Sequence, residues 1–223
     1  SAPGEGITGQ ETPPCRLACP IQMDVQGYLA LIAEVKYQEA YQLMRETNPL
    51  PAVCGRVCYH PCENVCNHGY VSEPLAIASL KRFVADQGDP AKPEVPEVTG
   101  NGKMVAIIGS GPAVLAAAHD LALRGYQVTV FEGLPEAGGM LWVGIPDYRL
   151  PKDILERDID YIRRLGVEIR TGCKVGEQVT LDSLQRDYQA IFIATGTHRS
   201  LKLGVPGEEA QGVIPGVDFL RAI

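Results

Sequence analysis

Several things are missing from this sequence of 223 residues, and each absence excludes a class of function. There is no cluster of Lys or Arg: 20 basic residues against 27 acidic ones leave a net charge of −7. Nucleic-acid binding needs basic patches facing phosphates, so none is expected. No window approaches the ~18 consecutive apolar residues of a membrane helix, so no membrane span is expected. The opening Ser1-Ala2-Pro3-Gly4-Glu5-Gly6 lacks the apolar core of a secretory signal, which points to a cytoplasmic setting. No internal repeat or low-complexity tract is evident. No Ser/His/Asp or paired-carboxylate arrangement stands out, so any chemistry is expected to come from bound groups rather than from side-chain catalysis.

What is present is an ordinary globular composition, 45% hydrophobic and 21% charged, with one unusual component. Of seven cysteines, six precede residue 67. An odd count without an export signal fits a disulfide framework poorly, whereas clustered thiols in a reducing compartment more often bind metal.

Hydrophobic patterning divides the chain into two units, 1–88 and 103–223, joined by a Pro-rich linker at 89–102 with Pro90, Pro93 and Pro96. In the first unit Asp24 is a good N-cap for a helix with Val25, Tyr28, Leu29 and Ile32 on one face. A second helix carries Tyr37, Ala40, Tyr41 and Met44 and stops at Asn48-Pro49. Residues 50–71 are rich in Cys, Gly, Pro and His, show no period and read as a loop. Ser72 reads as the cap of a third helix with Pro74 in its first turn, ended by Gly88. The expectation is a small all-α domain wrapped around a cysteine-rich loop. The second unit alternates: strands at Lys103–Ile108, Gln127–Phe131, Val167–Arg170 and Ala190–Ala194, and helices at Ala113–Arg124 and Leu150–Leu165. That order implies right-handed βαβ units and a parallel sheet, an α/β Rossmann-like domain.

Between the first strand and its helix lies Gly109-Ser110-Gly111-Pro112-Ala113-Val114. The first glycine permits the tight turn, the second lets the backbone approach a pyrophosphate, and the helix N-terminus offers aligned N–H groups to the phosphates. Glu132 ends the next strand, 21 residues after Gly111, where a carboxylate can accept from ribose hydroxyls. A glutamate there favours a ribose without a 2′-phosphate but does not separate FAD from NAD. Val114 stands where the fingerprint has its third glycine. A β-branched residue at that close helix–strand contact is expected to push the helix outward, or to need compensation from Ala116, Ala117 and Ala118. The plain alternative is a doubly wound sheet that has lost its nucleotide.

Cys15 and Cys19 have three residues between them, and Cys54, Cys58, Cys62 and Cys66 recur at the same spacing. Gly55 and Pro61 argue against one continuous helix, so the thiols are expected on turns that fold round a common centre. Several soft thiolates from separate segments are what an iron–sulfur cluster uses. Zinc, with His60 and His68 as spare ligands, is the second reading, although the C-x2-C knuckle is missing. Disulfides are the third. Cys173 stands alone and reads as a buried thiol. His119 and His198 read as structural or solvent-facing. Asp147, Arg149 and Lys152 are candidates for contact with a substrate or flavin, against the plainer reading of solvated charges.

Pro14-Cys15 through Cys19-Pro20, Asn48-Pro49-Leu50-Pro51, Cys54-Gly55-Arg56-Val57-Cys58 and Glu73-Pro74 through Phe83 resemble the iron–sulfur domain of the glutamate synthase small subunit, shared with the dihydropyrimidine dehydrogenase family. Phe131-Glu132, Gly138-Gly139-Met140-Leu141, Gly144-Ile145-Pro146, Tyr148-Arg149-Leu150-Pro151-Lys152 and Ala194-Thr195-Gly196 resemble that family's FAD domain. The resemblance implies an electron-transfer flavoprotein in which NAD(P)H reduces FAD, and FAD passes single electrons to 4Fe-4S clusters and on to a partner subunit or domain. It implies that Gly109, Ser110, Gly111, Pro112 and Ala113 hold the pyrophosphate and Glu132 the ribose. Gly139, Met140 and Ile145 would line the flavin path, Val175 would meet the adenine, and Thr195-Gly196 would close over the cofactor. Cys19, Cys58 and Cys62 match ligands of one cluster; Cys15 and Cys66 match ligands of another whose remaining pair is not found in residues 1–14. Lys81 stands where relatives often place Gln or Glu as a ligand. One cluster is therefore expected, its fourth ligand Cys54, Cys15 or Cys66. In the family an NAD(P)-binding domain follows the Ala-Thr-Gly strand, so the resemblance implies an FAD domain without that insertion. The alternative function is a non-catalytic assembly module with a metal-stabilised helical domain and a weak or lost nucleotide site.

Overall fold

The computed structural model describes residues 12–87 and 95–222. The N-terminal segment, Gly88, most of the first half of the linker and Ile223 lie outside the described residues.

The helical unit is built from short elements whose starts are set by proline and by carboxylates. Helix α1 (Pro14–Ala18) begins on Pro14 and ends at Cys19. Helix α2 (Val25–Ala33) is capped as expected: Asp24 Oδ1 accepts from the Gly27 amide at 3.0 Å. Helix α3 (Tyr37–Arg45) buries Ala40, Tyr41, Met44 and Arg45. The segment read as a cysteine-rich loop is largely helical: α4 (Pro51–Val57), α5 (Pro61–Asn64) and a 3-10 turn (Asn67–Tyr70). These elements are too short for a 3.6-residue period to show, but Pro51 and Pro61 occupy first-turn positions where proline is favourable. Helix α6 (Ile77–Gln87) starts later than expected, and Ser72 is not its cap. A side chain from α5 serves its first turn instead, Glu63 Oε1 accepting from the Ala78 amide at 2.7 Å. Tyr28, Met44, Val53 and Val84 form the centre of this unit, each 2% exposed or less.

The second unit is an open parallel sheet of β1 (Met104–Ile108), β2 (Gln127–Phe131), β3 (Glu168–Arg170) and β4 (Ala190–Ile193), in the order β3-β2-β1-β4. Val105 pairs with Val128 on one side and Ala190 on the other. The strand order reverses direction at β1, so the crevice beyond the carboxyl ends of β1 and β4 is the topological switch point. Helices α7 (Pro112–Leu123) and α9 (Lys152–Arg164) cover the sheet, and α9 begins two residues later than the sequence reading, behind Pro151. Helices α8 (Met140–Val143), α10 (Leu181–Asp187) and α11 (Gly216–Ala222) were not evident from periodicity.

Val114 is wholly buried in the apolar core, together with Leu115 and the small Ala118 on the same helix.

Candidate redox site

The Gly-rich loop places its residues at the switch point. Gly109 has φ +105, and a Cβ there would stand 2.6 Å from the Ala194 carbonyl oxygen. The glycine is thus required by the close passage of the β1 and β4 ends, and it brings Thr195 and Gly196, both exposed, to the same rim. Gly111 differs. Its φ of −68 suits any residue, and a Cβ would meet nothing within 4 Å. Nothing in the protein requires a glycine at 111, and the space its missing side chain leaves lies at the first turn of α7. A phosphate-sized cradle is the arrangement that uses it. Pro112 and Ala113 are exposed beside it.

The floor of the cradle is held by a buried hydrogen-bond chain. Ser110 Oγ donates to Glu132 Oε2 at 2.5 Å and accepts from the Gly138 amide at 3.0 Å. Glu132 Oε1 accepts from the Leu134 amide at 2.7 Å. Ser110 is therefore a joint between the loop after β1 and the Gly138-Gly139 turn, which sequence reasoning treated only as part of the loop. A carboxylate has about four acceptor positions, so Glu132 keeps capacity for ribose hydroxyls. Gly139 closes against the loop: its backbone (φ 54, ψ −128) is one that L residues avoid, and a Cβ would lie 2.9 Å from Gly111 Cα. Met140 opens α8 from that turn, and Ile145, after α8, lines a cavity of about 520 Å³ with Trp142, Tyr148, Lys152 and Arg221. Lys152 Nζ donates to the Ile145 carbonyl at 2.8 Å and pairs with Asp147 at 3.4 Å. The turn holding Val175 is tied to the acid, the Cys173 amide donating to the Glu132 carbonyl at 2.7 Å. Cys173 itself is half-buried rather than buried. The chemistry of these residues fits a flavin dinucleotide: open space at the first turn of α7 for a phosphate and an acid for the ribose.

The six N-terminal cysteines are all free thiols and all half-buried. Cys19 and Cys58 end α1 and α4, Cys15, Cys54 and Cys62 lie on α1, α4 and α5, and Cys66 precedes the 3-10 turn. Four of them share a neighbour in Tyr28, 1% exposed, whose phenol is pushed far above the ordinary tyrosine range by burial and then by Cys62, Cys19, Cys15 and Cys58. The His60 amide donates to Cys58 Sγ at 3.3 Å. Cys15 and Cys66 line a separate cavity of about 140 Å³ with His68 and Gln26. Burial raises the Cys62 thiol to about 11 and that of Cys54 upward, while the Lys81 charge pulls both down. Lys81 is only 7% exposed and, among the described residues, has no carboxylate within ion-pair distance. A buried cation without a counter-charge beside thiols suits an anionic centre. No three His, Cys, Asp or Glu side chains among the described residues approach closely enough to hold a single metal ion. A four-iron cube is a wider body, and its thiol donors, amide donors and nearby cation fit this set. His60 Nδ1 and His68 Nδ1 lie against the backbone carbonyls of Cys58 and Glu73, at 3.2 and 2.7 Å. His119 is buried against Tyr161, and His198 meets Arg221.

Sequence reasoning missed the contact between the two units. Asp158 on α9 is fully buried and bonds Arg45 Nη2 at 2.9 Å. A signal was present: Asp158 sits in the apolar stripe of α9 with Ile154, Leu155, Ile159 and Ile162, all buried.

Comparison with known proteins agrees with both halves. Residues 9–92 match the family described as dihydropyrimidine dehydrogenase domain II, 4Fe-4S cluster. Residues 103–222 match the pyridine nucleotide-disulphide oxidoreductase family. The chain is 48% identical to the NADP(+)-dependent formate dehydrogenase subunit beta of Moorella thermoacetica, covering 99% of this chain and 35% of that protein. It is 44% identical to the NADPH-Fe(3+) oxidoreductase subunit beta of Geobacter sulfurreducens, covering 94% of this chain and 32% of the relative. With the Escherichia coli glutamate synthase [NADPH] small chain it shares 37% identity over 94% of this chain and 45% of the relative. The chain thus spans about a third to a half of the length of these relatives. The chain belongs to the pyridine nucleotide-disulphide oxidoreductase family and carries, ahead of that domain, a 4Fe-4S domain of the dihydropyrimidine dehydrogenase type.

Proposed function

We propose that this chain is the electron-transfer portion of an NAD(P)H-dependent iron–sulfur flavoprotein, working with a partner subunit or domain. FAD supplies the conversion between hydride and single-electron chemistry, and a 4Fe-4S cluster supplies the one-electron relay. The observation that carries the reading is the grouping of four free thiols, Cys62, Cys19, Cys15 and Cys58, about Tyr28, together with an open space at Gly111 in the adjoining unit. In this reading the Gly109–Ala113 loop takes the pyrophosphate on the first amides of α7. Glu132, held by Ser110, takes the ribose, and Val175 borders the adenine. Gly139 and Met140 lead toward Ile145 and the flavin ring, with Thr195-Gly196 at the rim. Cys19, Cys58 and Cys62 hold the cluster with Cys54, Cys15 or Cys66 completing it, and Lys81 offsets its negative charge. The names of the relatives, as subunits that use NADP or NADPH, support a nicotinamide donor and a multi-subunit setting.

Anaerobic purification followed by absorption spectroscopy and iron and sulfide assay tests this. Brown protein with flavin bands and about four irons and four sulfides per chain is expected. About eight of each would overturn the single cluster. Brown protein without flavin would favour an assembly module, and colourless protein containing zinc would favour a structural metal. One observation gives the assembly reading some weight: Leu201 and Leu203 after β4 are 93% and 82% exposed, an apolar surface suited to a partner.

A further inference from the structure

The helix that carries Cys54 and Cys58 is not capped from its own unit. Its N-cap residue is Leu50, which has no side-chain acceptor, and Pro51 at the first position has no N–H. The next two amides, Ala52 and Val53, both donate to Asp158 Oδ2 at 3.0 Å. The Cys54 amide then begins the helical ladder by donating to the Leu50 carbonyl at 2.9 Å. Every free amide at the start of α4 is thus satisfied by one carboxylate from α9 in the dinucleotide-binding unit.

The other oxygen of Asp158 is equally committed. Oδ1 accepts from Arg45 Nη2 at 2.9 Å, and the same nitrogen meets the Tyr41 hydroxyl at 2.6 Å. The Arg45 guanidinium lies between two rings, 3.9 Å from the Tyr161 centroid on α9 and 4.8 Å from that of Tyr41 on α3. The preceding residue on α9, Arg157, donates to the Ala85 carbonyl of α6 at 2.9 Å. Two consecutive α9 residues therefore grip α4 and α6. Those two helices meet tightly beside the thiols, where a Cβ on Gly55 would lie 2.9 Å from Arg82 Cα. Beside this joint lies a cleft of about 270 Å³, with Arg45 and Tyr161 themselves in its lining.

We propose that Asp158 is a positioning residue: by capping α4 from across the unit boundary it fixes Cys54 and Cys58, and the redox centre they hold, relative to the dinucleotide-binding unit. The proposal rests on the functional reading above. Removing the carboxylate leaves the first amides of α4 without acceptors and Arg45 as an unpaired buried cation. The thiol-bearing helix then loses its registration against α9. Electron transfer between flavin and cluster, which depends on their separation and orientation, slows as a result.

The test compares the full chain with Asp158→Asn and Asp158→Ala. Val128→Ala, at the far end of β2 from the Gly-rich loop, controls for general loss of stability. Exchange of the Ala52 and Val53 amides is followed by NMR, and needs neither cofactor. In anaerobically loaded protein, the bound flavin is photoreduced with EDTA as electron donor. The rate of cluster reduction and the EPR line shape of the reduced cluster are then recorded at a temperature where every variant is folded. The expected result is faster amide exchange in Asp158→Ala, a changed line shape and slower cluster reduction, with Val128→Ala like wild type. Asp158→Asn keeps one carbonyl oxygen for the two amides but sets an NH2 group against Arg45, so it is expected to fall between wild type and Asp158→Ala. Should Asp158→Ala fail to fold, Asp158→Leu, of similar size and without an acceptor, decides. Unchanged exchange at Ala52 and Val53 in a variant without an acceptor overturns the cap, and wild-type transfer rate and line shape in that variant overturn the positioning role. Wild-type protein that takes up neither iron nor flavin overturns the functional reading instead, and the exchange result then still decides the cap.

Discussion

Gly111→Ala separates fold from function in a single methyl group. At 111 the backbone is at φ −68 and ψ 179, open to any L residue, and the added Cβ meets nothing within 4 Å. Two small terms set the effect on stability. Alanine stiffens the unfolded chain, worth about 0.4–1 kcal/mol in favour of folding. As the N-cap of α7 it is poorer than glycine by about 0.5–1 kcal/mol. They nearly cancel, so the unfolding midpoint in urea should stay close to wild type. Binding behaves differently, because the methyl enters the space where a pyrophosphate must approach the first amides of α7. Losing one hydrogen bond to a charged oxygen costs about 1.5–3 kcal/mol, or roughly 10- to 150-fold in Kd for FAD. Calorimetric titration of cofactor-free chain with FAD reads the second quantity, and urea unfolding the first. An FAD affinity within about threefold of wild type would refute the assignment of the cradle. A stability loss above about 2 kcal/mol would show that the glycine serves the fold.

Three further outcomes follow from neighbouring residues. Gly139→Ala should lose stability as well as FAD binding, by about 1–3 kcal/mol from its backbone conformation alone and more from the 2.9 Å approach to Gly111 Cα, measured by the same unfolding titration. Val114→Gly, which restores the third glycine of the fingerprint, should destabilise by about 2.5 kcal/mol, from roughly 2 kcal/mol of lost apolar burial and about 0.5 kcal/mol of helix propensity. A more stable Val114→Gly would mean that the valine does wedge the helix. Burial raises Asp158 from 3.8 to about 6, against the pull of Arg45 and the Val53 and Ala52 amides. Between those two values the native state keeps a proton that the unfolded chain releases. The contribution of this group to stability is therefore full below 3.8 and lost as pH rises through 6. Urea midpoints measured across that window should show this fall in wild type and not in Asp158→Asn.

How legible the molecule was depends on whether a feature repeats, and on whether its partner is near in sequence. The strands of the second unit, and the loop between β1 and α7, announce themselves because buried parallel strands are continuous apolar runs and the phosphate turn needs glycine at a fixed offset. Asp24 was readable for the same reason, since a cap acts three residues away. Helices α4 and α5 were not: at seven and four residues they have no room for a period, and their cysteines and prolines imitate a loop. At Val114 the sequence leaves two outcomes open, a displaced helix or compensation by small neighbours, because the surface opposite the valine belongs to other segments. The hardest features were those joining distant segments. Glu63 capping α6 spans 15 residues, Ser110 binding Glu132 spans 22, and Asp158 capping α4 spans 106. Each of these is a polar side chain that departs from the local pattern. Asp158 interrupts the apolar stripe of α9, and Ser110 is buried inside a turn that asks only for glycines. A charge on an apolar helix face is costly unless paired, so its presence implies a partner even when the sequence cannot name it. Here such misfits mark contacts between distant segments: Asp158 joins the two units, and Ser110 joins the loop after β1 to Glu132 and to the Gly138-Gly139 turn.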